Sequence, residues 1–341
     1  MPDLHQFRAW ESPQDSSPAS IIRQYERGYA GALYSPEAHE RFVDGISIKT
    51  GEGVCEALGY AESAKGELIV PFRHILEQYP GCLPGGSQNE GSCVSWGQRN
   101  ANLLTLVCEA VSGLPDPVSG KIEECPQVSD TARKFGVLST EAIYAFRSTK
   151  PGHGWFCDEA ARVSQTKAGC VLRKDYGVVN LERCTRETEN FWNRREPERA
   201  LLEVWDDNII REATVVNTFE ALRDLLARGF GIQTCGSEGF THERDENGVC
   251  RRSGQWAHSL AYLGVDDRPW AHQTYGGPLV LIQNSWGEYL RGPKKINGTD
   301  LEIPPGSFWA RWKDVARRQM IAMAGANGWA RRKLPDYSPG W

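Results

Sequence analysis

The chain has 341 residues, of which 40% are hydrophobic and 24% are charged, so it can bury one large core or two smaller ones and wholesale disorder is excluded. Its formal net charge of -5 gives no electrostatic reason to expect a nucleic-acid partner. No stretch approaches the roughly 18 apolar residues that a membrane span requires, so a membrane partner is not expected either.

The first 80 residues carry no catalytic pattern. The N-terminus lacks the cationic and apolar regions of a secretory signal peptide, which indicates a cytoplasmic protein or a component of a virus particle. A helix is predicted within 21–33. We interpret residues 1–80 as an N-terminal extension, and the sequence leaves open whether it is a propeptide, an assembly arm or an extension of a lobe.

Residues 81–205 are predicted to form a helical lobe. A glycine-rich stretch leads into 93–111, where apolar residues recur at helical spacing, and Gly113 and Pro115 follow as typical stop signals. A second helix is predicted over 130–135. Residues 147–205 are polar, rich in Arg and Glu and poorly periodic, and we interpret them as an insertion or an elaborated lobe surface.

Residues 206–341 are predicted to form a β-rich lobe. Strands are predicted at 213–216, 230–234, 259–265, 278–283 and 307–312. Between the first two, Asn217 and Glu220 form a capping-box pattern at the start of a helix that ends before Gly229. A helix-rich first half and a strand-rich second half indicate an α+β protein of two lobes.

Cys93 is the first residue that suggests chemistry. It follows Gly91 and Ser92 and lies at the N-terminal end of the long predicted helix. Unpaired backbone N–H groups and the helix dipole stabilise a thiolate there, and the same N–H groups can receive an oxyanion. Taken alone, the position is more typical of an inert buried cysteine.

His258 and Asn284 extend the pattern. His258 opens a predicted strand, and a rigid element suits a general base. Asn284 ends an apolar run and is followed by Trp286. An amide oxygen that accepts from the histidine ring fixes its tautomer and rotation, and a neighbouring indole shields that bond from water. Each residue alone is ordinary: a core or surface histidine, and a turn.

Together these residues carry a resemblance. Gly91-Ser92-Cys93 at a helix start, Ala257-His258 at a strand start and the string from Ile282 to Gly287 resemble the signature blocks of the papain family of cysteine peptidases, in the same order. The resemblance implies a papain-like two-lobe α+β fold with a helical left lobe and an antiparallel β right lobe. The implied roles are nucleophile for Cys93, base for His258, orienting residue for Asn284, oxyanion donor for Gln88 and support of the triad for Trp286.

The chain departs from the family pattern at several points. Gln88 lies five residues before Cys93, one fewer than in the family, and Val94 stands where a tryptophan is usual. The Cys-Asn-Gly-Gly segment of the family has no counterpart. His258 also lies further from Cys93 than the family spacing, which an insertion at 147–205 would explain. The chain therefore resembles a distant member, and a bacterial or phage origin is one interpretation.

The resemblance implies a thiol protease or related amide hydrolase that acts on polypeptides through a thioester acyl-enzyme and needs no cofactor or metal. One alternative is a papain-fold structural or binding component of a large assembly such as a virus particle, with little peptidase activity. Another is an acyl transferase that uses the same thioester.

Two further features are less specific. Cys235 and Cys250 bracket a polar loop and are candidates for a disulfide, although a buried thiol needs no partner. Asp266 and Asp267 follow a predicted strand, and because adjacent strand residues point to opposite faces we expect a solvated turn there rather than an acid pair.

Overall fold

The computed structural model describes residues 8–9, 18–26, 29–33, 49–50, 64–82, 86–112, 124–205 and 209–326. The described helices are α1 Pro18–Glu26, α2 Arg73–Gln78, α3 Cys93–Val111, α4 Asp130–Lys134, α5 Thr140–Tyr144, α6 Cys157–Thr166, α7 Arg186–Asn190, α8 Arg199–Trp205, α9 Phe219–Ala227, α10 Pro269–Tyr275 and α11 Trp312–Val315. The described strands are β1 Arg8–Ala9, β2 Tyr29–Ala30, β3 Ala32–Leu33, β4 Lys49–Thr50, β5 Leu68–Ile69, β6 Trp155–Phe156, β7 Ile210–Val215, β8 Ile232–Phe240, β9 Arg252–Asp266, β10 Leu279–Gln283, β11 Ser307–Arg311 and β12 Gln319–Ala326.

Within the described residues, eight strands form one sheet in the order β11-β10-β9-β8-β12-β7-β4, with β5 added beside β9. Every pairing in it is antiparallel except that of β4 with β7. The helices from α2 to α8 precede the main strands in the chain. The predicted α+β fold is therefore confirmed, with an antiparallel sheet in the second half.

Helix α3 runs through the core between this sheet and the other helices. Its residues from Cys93 to Ala110 are all buried, including the polar Arg99, Asn100 and Glu109, so the helix is enclosed on every side. It contacts β8, β9 and β12 on the sheet side, and α2, α5 and α6 on the other. The bounds predicted for this helix are confirmed.

The helix predicted to begin at Asn217 has its N-cap one residue later, and its first helical residue is Phe219. Thr218 is the N-cap of α9, and its hydroxyl accepts a hydrogen bond from the backbone N–H of Ala221 at 3.1 Å. Thr218 has the extended backbone of an N-cap, with φ -121° and ψ 159°, so its side chain takes the role predicted for Asn217. The predicted Asn217–Glu220 capping box is therefore wrong.

Residues 147–205 hold a small core of their own. Helices α6, α7 and α8 lie in this range, and Trp192 and Trp205 pack edge to face with ring centroids 5.4 Å apart. Both indoles are buried, together with Leu201 and Val171. The aromatic pairing gives this polar stretch the apolar centre that its weak periodicity does not reveal.

Two of the less specific predictions are wrong. Cys235 is bonded to Cys157, with their Cα atoms 6.5 Å apart, and the buried thiol of Cys250 instead faces the carbonyl oxygen of Glu243 at 3.7 Å. The disulfide joins β8 to the start of α6, two elements far apart in sequence, so loop composition could not reveal it.

Asp266 and Asp267 are buried rather than solvated. Asp266 accepts from the Arg268 guanidinium at 2.6 Å, and Asp267 contacts Arg223 at 3.3 Å and His272 at 2.8 Å. These partners compensate the loss of water, which is why two adjacent acids are tolerated at the end of β9.

The segment before residue 81 contributes to the same core. Strand β5 pairs with the end of β9, and α2 packs against α3. The domain boundaries at 80/81 and 205/206 stay a prediction. Among the described residues, no helix is both long and apolar enough to cross a membrane.

Helix α3 approaches β9 closely at Gly97. A Cβ atom on Gly97 would lie 2.4 Å from the hydroxyl oxygen of Ser259 and 3.0 Å from the carbonyl oxygen of Leu260. Only a residue without a side chain allows this contact, because a buried backbone carbonyl cannot move aside cheaply.

The substitution Gly97→Ala should therefore lower the free energy of unfolding by about 1–3 kcal/mol through overpacking. Urea unfolding followed by tryptophan fluorescence measures the change. Arg199→Ala, on the exposed surface of α8, is the control and should shift stability by less than about 0.5 kcal/mol. Equal stability of Gly97→Ala and the wild type would show that α3 and β9 are not in this close contact.

Candidate active site

Cys93 is the first residue of α3 and is fully buried. The residue before it, Ser92, is the N-cap, and its carbonyl oxygen accepts the first helical hydrogen bond from Trp96 at 3.1 Å. The sulfur therefore lies at the positive end of a 19-residue helix. A helix N-terminus is a position that reactive cysteines commonly occupy.

One amide side chain links the neighbours of Cys93 and His258. The Nε2 atom of Gln233, on β8, donates to the carbonyl oxygen of Val94 at 2.9 Å and to the hydroxyl of Ser259 at 3.2 Å. Val94 follows Cys93, and Ser259 follows His258. The structure thus brings the elements that carry the predicted nucleophile and base side by side.

His258 lies within β9, opposite Gly236 of β8, and is fully buried. Its main-chain carbonyl oxygen accepts a 2.7 Å hydrogen bond from the guanidinium of Arg318. Arg318 also contacts Glu238 of β8 at 3.3 Å, so its positive charge is paired. This contact ties the main chain at His258 to β8 and to the residue that precedes β12.

The register of β10 against β9 places Asn284 beside His258. Strand β10 pairs with β9 up to Gln283, which lies opposite Ala261, so the next residue extends towards the earlier part of β9. The Nε2 atom of His258 donates to Oδ1 of Asn284 at 2.7 Å. The other end of the amide donates to the hydroxyl of Tyr289 at 2.9 Å, which fixes its orientation.

Aromatic rings enclose the histidine–asparagine pair. The centroid of Trp286 lies 4.7 Å from that of His258, with an angle of 32° between the ring planes. Trp286 is fully buried and also packs against Trp256 at 4.8 Å and Tyr289 at 5.1 Å. The 2.7 Å hydrogen bond thus lies in an apolar surrounding, where it is stronger than in water.

Gln88 is buried beside this cluster. Its Nε2 atom donates to the carbonyl oxygen of Glu90 at 2.7 Å, and its Oε1 atom accepts from the hydroxyl of Ser285 at 2.6 Å. Its backbone N–H donates to the carbonyl oxygen of Ser285 at 2.7 Å. These bonds join the loop before α3 to the loop after β10, and the oxyanion role of Gln88 stays a prediction.

Burial lowers the pKa of His258 from 6.5 to about 3. The hydrogen bond to Asn284 acts in the opposite direction, and the charge of Arg318 lowers the pKa further. In this environment the imidazole is neutral at pH 7 and holds its proton on Nε2. The other ring nitrogen then has the lone pair that a general base requires.

An open cavity of about 740 Å³ borders the aromatic enclosure. Trp256 and His242 line it, and their ring centroids lie 6.0 Å apart. Trp256 also contacts Trp286, so the same ring belongs to the wall of the cavity and to the aromatic enclosure of the histidine–asparagine pair. It is wide enough to admit several side chains of a ligand.

Sequence reasoning missed the residues that support this site from other elements. Tyr289, Gln233 and Arg318 orient or brace the predicted triad, yet none belongs to its sequence blocks. A tyrosine five residues after Asn284 was the one local signal available. The other two act through space, and no pattern in the sequence marks them.

No protein-family model matches the chain, and no curated protein is significantly similar to it. Among solved structures, digestive procathepsin L2 proteinase from the larval midgut of Tenebrio molitor is similar with a TM-score of 0.50 and 13% identity, over 92% of this chain and 84% of that one. Xylellain, a cysteine protease from Xylella fastidiosa, gives a TM-score of 0.47 and 15% identity, over 77% and 88%. The proform of the ragweed pollen cysteine protease Amb a 11 gives 0.46 and 15%, over 93% and 82%.

The similarity to the procathepsin shows a shared fold and nothing about activity. The fold is that of the papain-like cysteine proteases, at an identity too low to transfer any residue's role.

The buried neutral state of His258 should make the protein sensitive to acid. Unfolding restores a pKa near 6.5, so between pH 6.5 and 3 the unfolded chain binds a proton that the folded protein does not. The free energy of unfolding should therefore decrease as the pH is lowered through this window. His258→Gln should remove about 2–3 kcal/mol of the loss between pH 7 and pH 4.5, as urea unfolding measures.

The control is His74→Gln, which alters a partly exposed histidine paired with Glu77. It should leave most of the acid sensitivity in place. An identical pH dependence of the wild type and His258→Gln would show that His258 is not buried in its neutral form.

Proposed function

We propose that this chain is a cysteine peptidase or related amide hydrolase, with Cys93 as nucleophile, His258 as base and Asn284 as the residue that orients the base. The observation that carries the proposal is the 2.7 Å hydrogen bond from His258 to Asn284 under Trp286. His258 lies on the strand against which the helix that begins at Cys93 packs. An amide that orients a neutral histidine beside a cysteine is an arrangement suited to nucleophilic catalysis.

In the proposed reaction His258 takes the proton of the Cys93 thiol, and the sulfur attacks the carbonyl carbon of a peptide bond. The tetrahedral intermediate collapses as its C–N bond breaks, and protonated His258 gives its proton to the leaving amine. A water molecule, deprotonated by His258, then attacks the thioester. The C–S bond breaks, the carboxylic acid leaves, and protonated His258 returns its proton to the Cys93 sulfur.

The negative oxygen of the tetrahedral intermediate requires hydrogen-bond donors. We assign this role to backbone N–H groups at the start of α3 and to the side chain of Gln88. Two features support the assignment: the helix begins at Cys93, and Gln88 is buried and fixed between Glu90 and Ser285. Donors that are held in place before the reaction stabilise the oxyanion without reorganisation.

An irreversible peptidyl electrophile, applied between pH 5 and 8 with mass-spectrometric site assignment, should label Cys93 selectively. Labelling should be lost in His258→Ala, and Cys93→Ala should abolish peptide hydrolysis while the protein stays folded. Cys108→Ala is the matched control, because Cys108 is a buried cysteine near the other end of the same helix, and this variant should keep full activity. Labelling spread evenly over several cysteines would favour the alternative, a papain-fold binding or structural component.

We further propose that the N-terminal extension covers this site. The backbone N–H of Gly31 donates to the carbonyl oxygen of Ala257 at 3.1 Å, and its carbonyl accepts from the backbone N–H of Trp155 at 3.0 Å. Ala257 directly precedes His258. On the other side, the N–H of Gly154 donates to the carbonyl oxygen of Gly91, two residues before Cys93, at 3.0 Å.

The segment 29–33 thus lies between the main chains that lead to the proposed base and nucleophile. Strand β3 continues this path by pairing with β6, and Ala32 is only 4% exposed. The three triad residues are themselves at most 1% exposed, which supports a covered state. Residues 64–82 pack into the core, so the covering role is assigned to residues 29–33.

Ala32→Asp places an unpaired carboxylate at this buried position and should displace the segment. The rate of Cys93 labelling should then rise at least about tenfold, because one buried charge costs more than 1.4 kcal/mol. Ala19→Asp is the matched control, since Ala19 is exposed on α1, and it should leave the rate unchanged. Equal rates in all three proteins would contradict the covering role.

A further inference from the structure

Two buried carboxylates join helix α7 to the loop 88–92 that leads to Cys93: one belongs to the helix and the other to the loop. The first is Glu189, which is 3% exposed. Its Oε1 atom accepts from the hydroxyl of Ser92 at 2.6 Å and from the indole N–H of Trp96 at 3.0 Å, and its Oε2 atom accepts from the backbone N–H of Asn89 at 2.9 Å. One side chain thus holds the entrance and the first turn of α3.

The second carboxylate points in the opposite direction. Glu90, in the loop, is fully buried, and its Oε1 atom accepts from Nε of Arg186 at 2.6 Å and from Nδ2 of Asn190 at 3.1 Å. Both donors belong to α7, one turn apart. The loop therefore holds the helix that carries Glu189, while Glu189 holds the loop.

We infer that Glu189 is a positioning residue for the nucleophile, which fixes the main chain entering α3, and that Glu90 keeps α7 within reach for this purpose. The inference rests on the proposed function of Cys93. Its physical basis is that each of the three donors meets a defined oxygen of one rigid carboxylate. A shift of the loop by a fraction of an ångström would break at least one of these bonds.

The three donors favour the ionised form of Glu189. The indole of Trp96 and the backbone N–H of Asn89 can only donate, so a proton on either carboxyl oxygen opposes a donor or forces Ser92 to turn. Protonation therefore either breaks one of the three hydrogen bonds or reverses the one with Ser92. Glu189→Gln imitates this state, because its amide NH₂ must face one of the same donors.

Burial raises the pKa of Glu189 to about 7, against the three hydrogen bonds that lower it. The charged or titratable groups that face it from other elements are Glu141 of α5, Tyr144, Arg147 and Cys184. Because Glu141 is negative and raises the pKa further, only the positive Arg147 favours ionisation among them. Glu189 should thus change charge near neutral pH, and the loop should be held most firmly above it.

The test is the rate of Cys93 alkylation by iodoacetamide, measured from pH 5.5 to 8.5 on the full-length wild type, Glu189→Gln and Glu187→Gln. Glu187 is exposed on the same helix, so its variant is the matched control. At pH 5.5 the three rates should agree within about twofold. At pH 8.5 the rate of Glu189→Gln should be about tenfold lower than the other two, the loss expected for one charged hydrogen bond.

Stability provides a second readout that a merely structural role would not reproduce. Since the folded pKa of Glu189 lies above the unfolded value, its contribution to stability is fully present below pH 4.5 and is lost as pH rises through about 7. Reactivity and stability should therefore change in opposite directions with pH. Glu189→Gln should be no less stable than the wild type at pH 8.5, whereas a purely structural glutamate would make it less stable.

The indole N–H resonance of Trp96 separates this inference from the proposed function, because it does not depend on the reactivity of Cys93. In the wild type and Glu187→Gln this resonance should titrate near pH 7, and in Glu189→Gln it should not. Titration together with an unreactive Cys93 would sustain the contact and refute the proposed function. A reactive Cys93 whose rate is unchanged or increased in Glu189→Gln would overturn the positioning role.

Discussion

The contact between α3 and β9 is the constraint on which the rest of the site depends. Cys93 lies at the start of the helix and His258 lies within the strand, so their relation is set by how closely these two elements pack. Gly97 allows the approach because it has no side chain, and Gln233 bridges the residues that follow Cys93 and His258. The sheet then fixes Asn284, since the pairing of β10 with β9 directs it to the histidine.

Around this contact the core contains several buried polar side chains. His258, Gln233, Glu90, Glu189 and Arg318 are all nearly inaccessible to solvent. Burying such groups is costly unless each finds partners, and here the partners come from different elements. The same hydrogen bonds that offset the cost therefore fix the relative positions of helix, strand and loop, which an apolar core would constrain less strictly.

The parts of this structure that the sequence predicts are those encoded by neighbouring residues. The helix over 93–111 is marked by its apolar spacing and its glycine and proline stops, and the strand before Asn284 by its continuous apolar run. The cap of α9 was predicted one residue early, because Asn217 and Thr218 are both good caps and only the backbone conformation decides between them. The existence of such elements follows from local chemistry, whereas their exact ends do not.

What the sequence could not provide is the set of contacts made through space. Glu189 lies in a polar stretch with weak periodicity, where a glutamate is normally a solvated residue, and its burial results from the packing of α7 against the loop before α3. Gly31 and Arg318 are equally inconspicuous in the sequence. The motif residues could be proposed from their order and spacing, but the groups that hold them in place become visible only in the fold.

The disulfide between Cys157 and Cys235 is a second covalent connection between the part of the chain that carries Cys93 and the part that carries His258. Cys157 begins α6, and Cys235 precedes Gly236, the residue that pairs with His258. A single cleavage of the backbone anywhere between these cysteines would yield two fragments, one with Cys93 and the other with His258 and Asn284. The sulfur bridge would keep both in one molecule, so a nicked, two-chain form could persist until a reductant releases its halves.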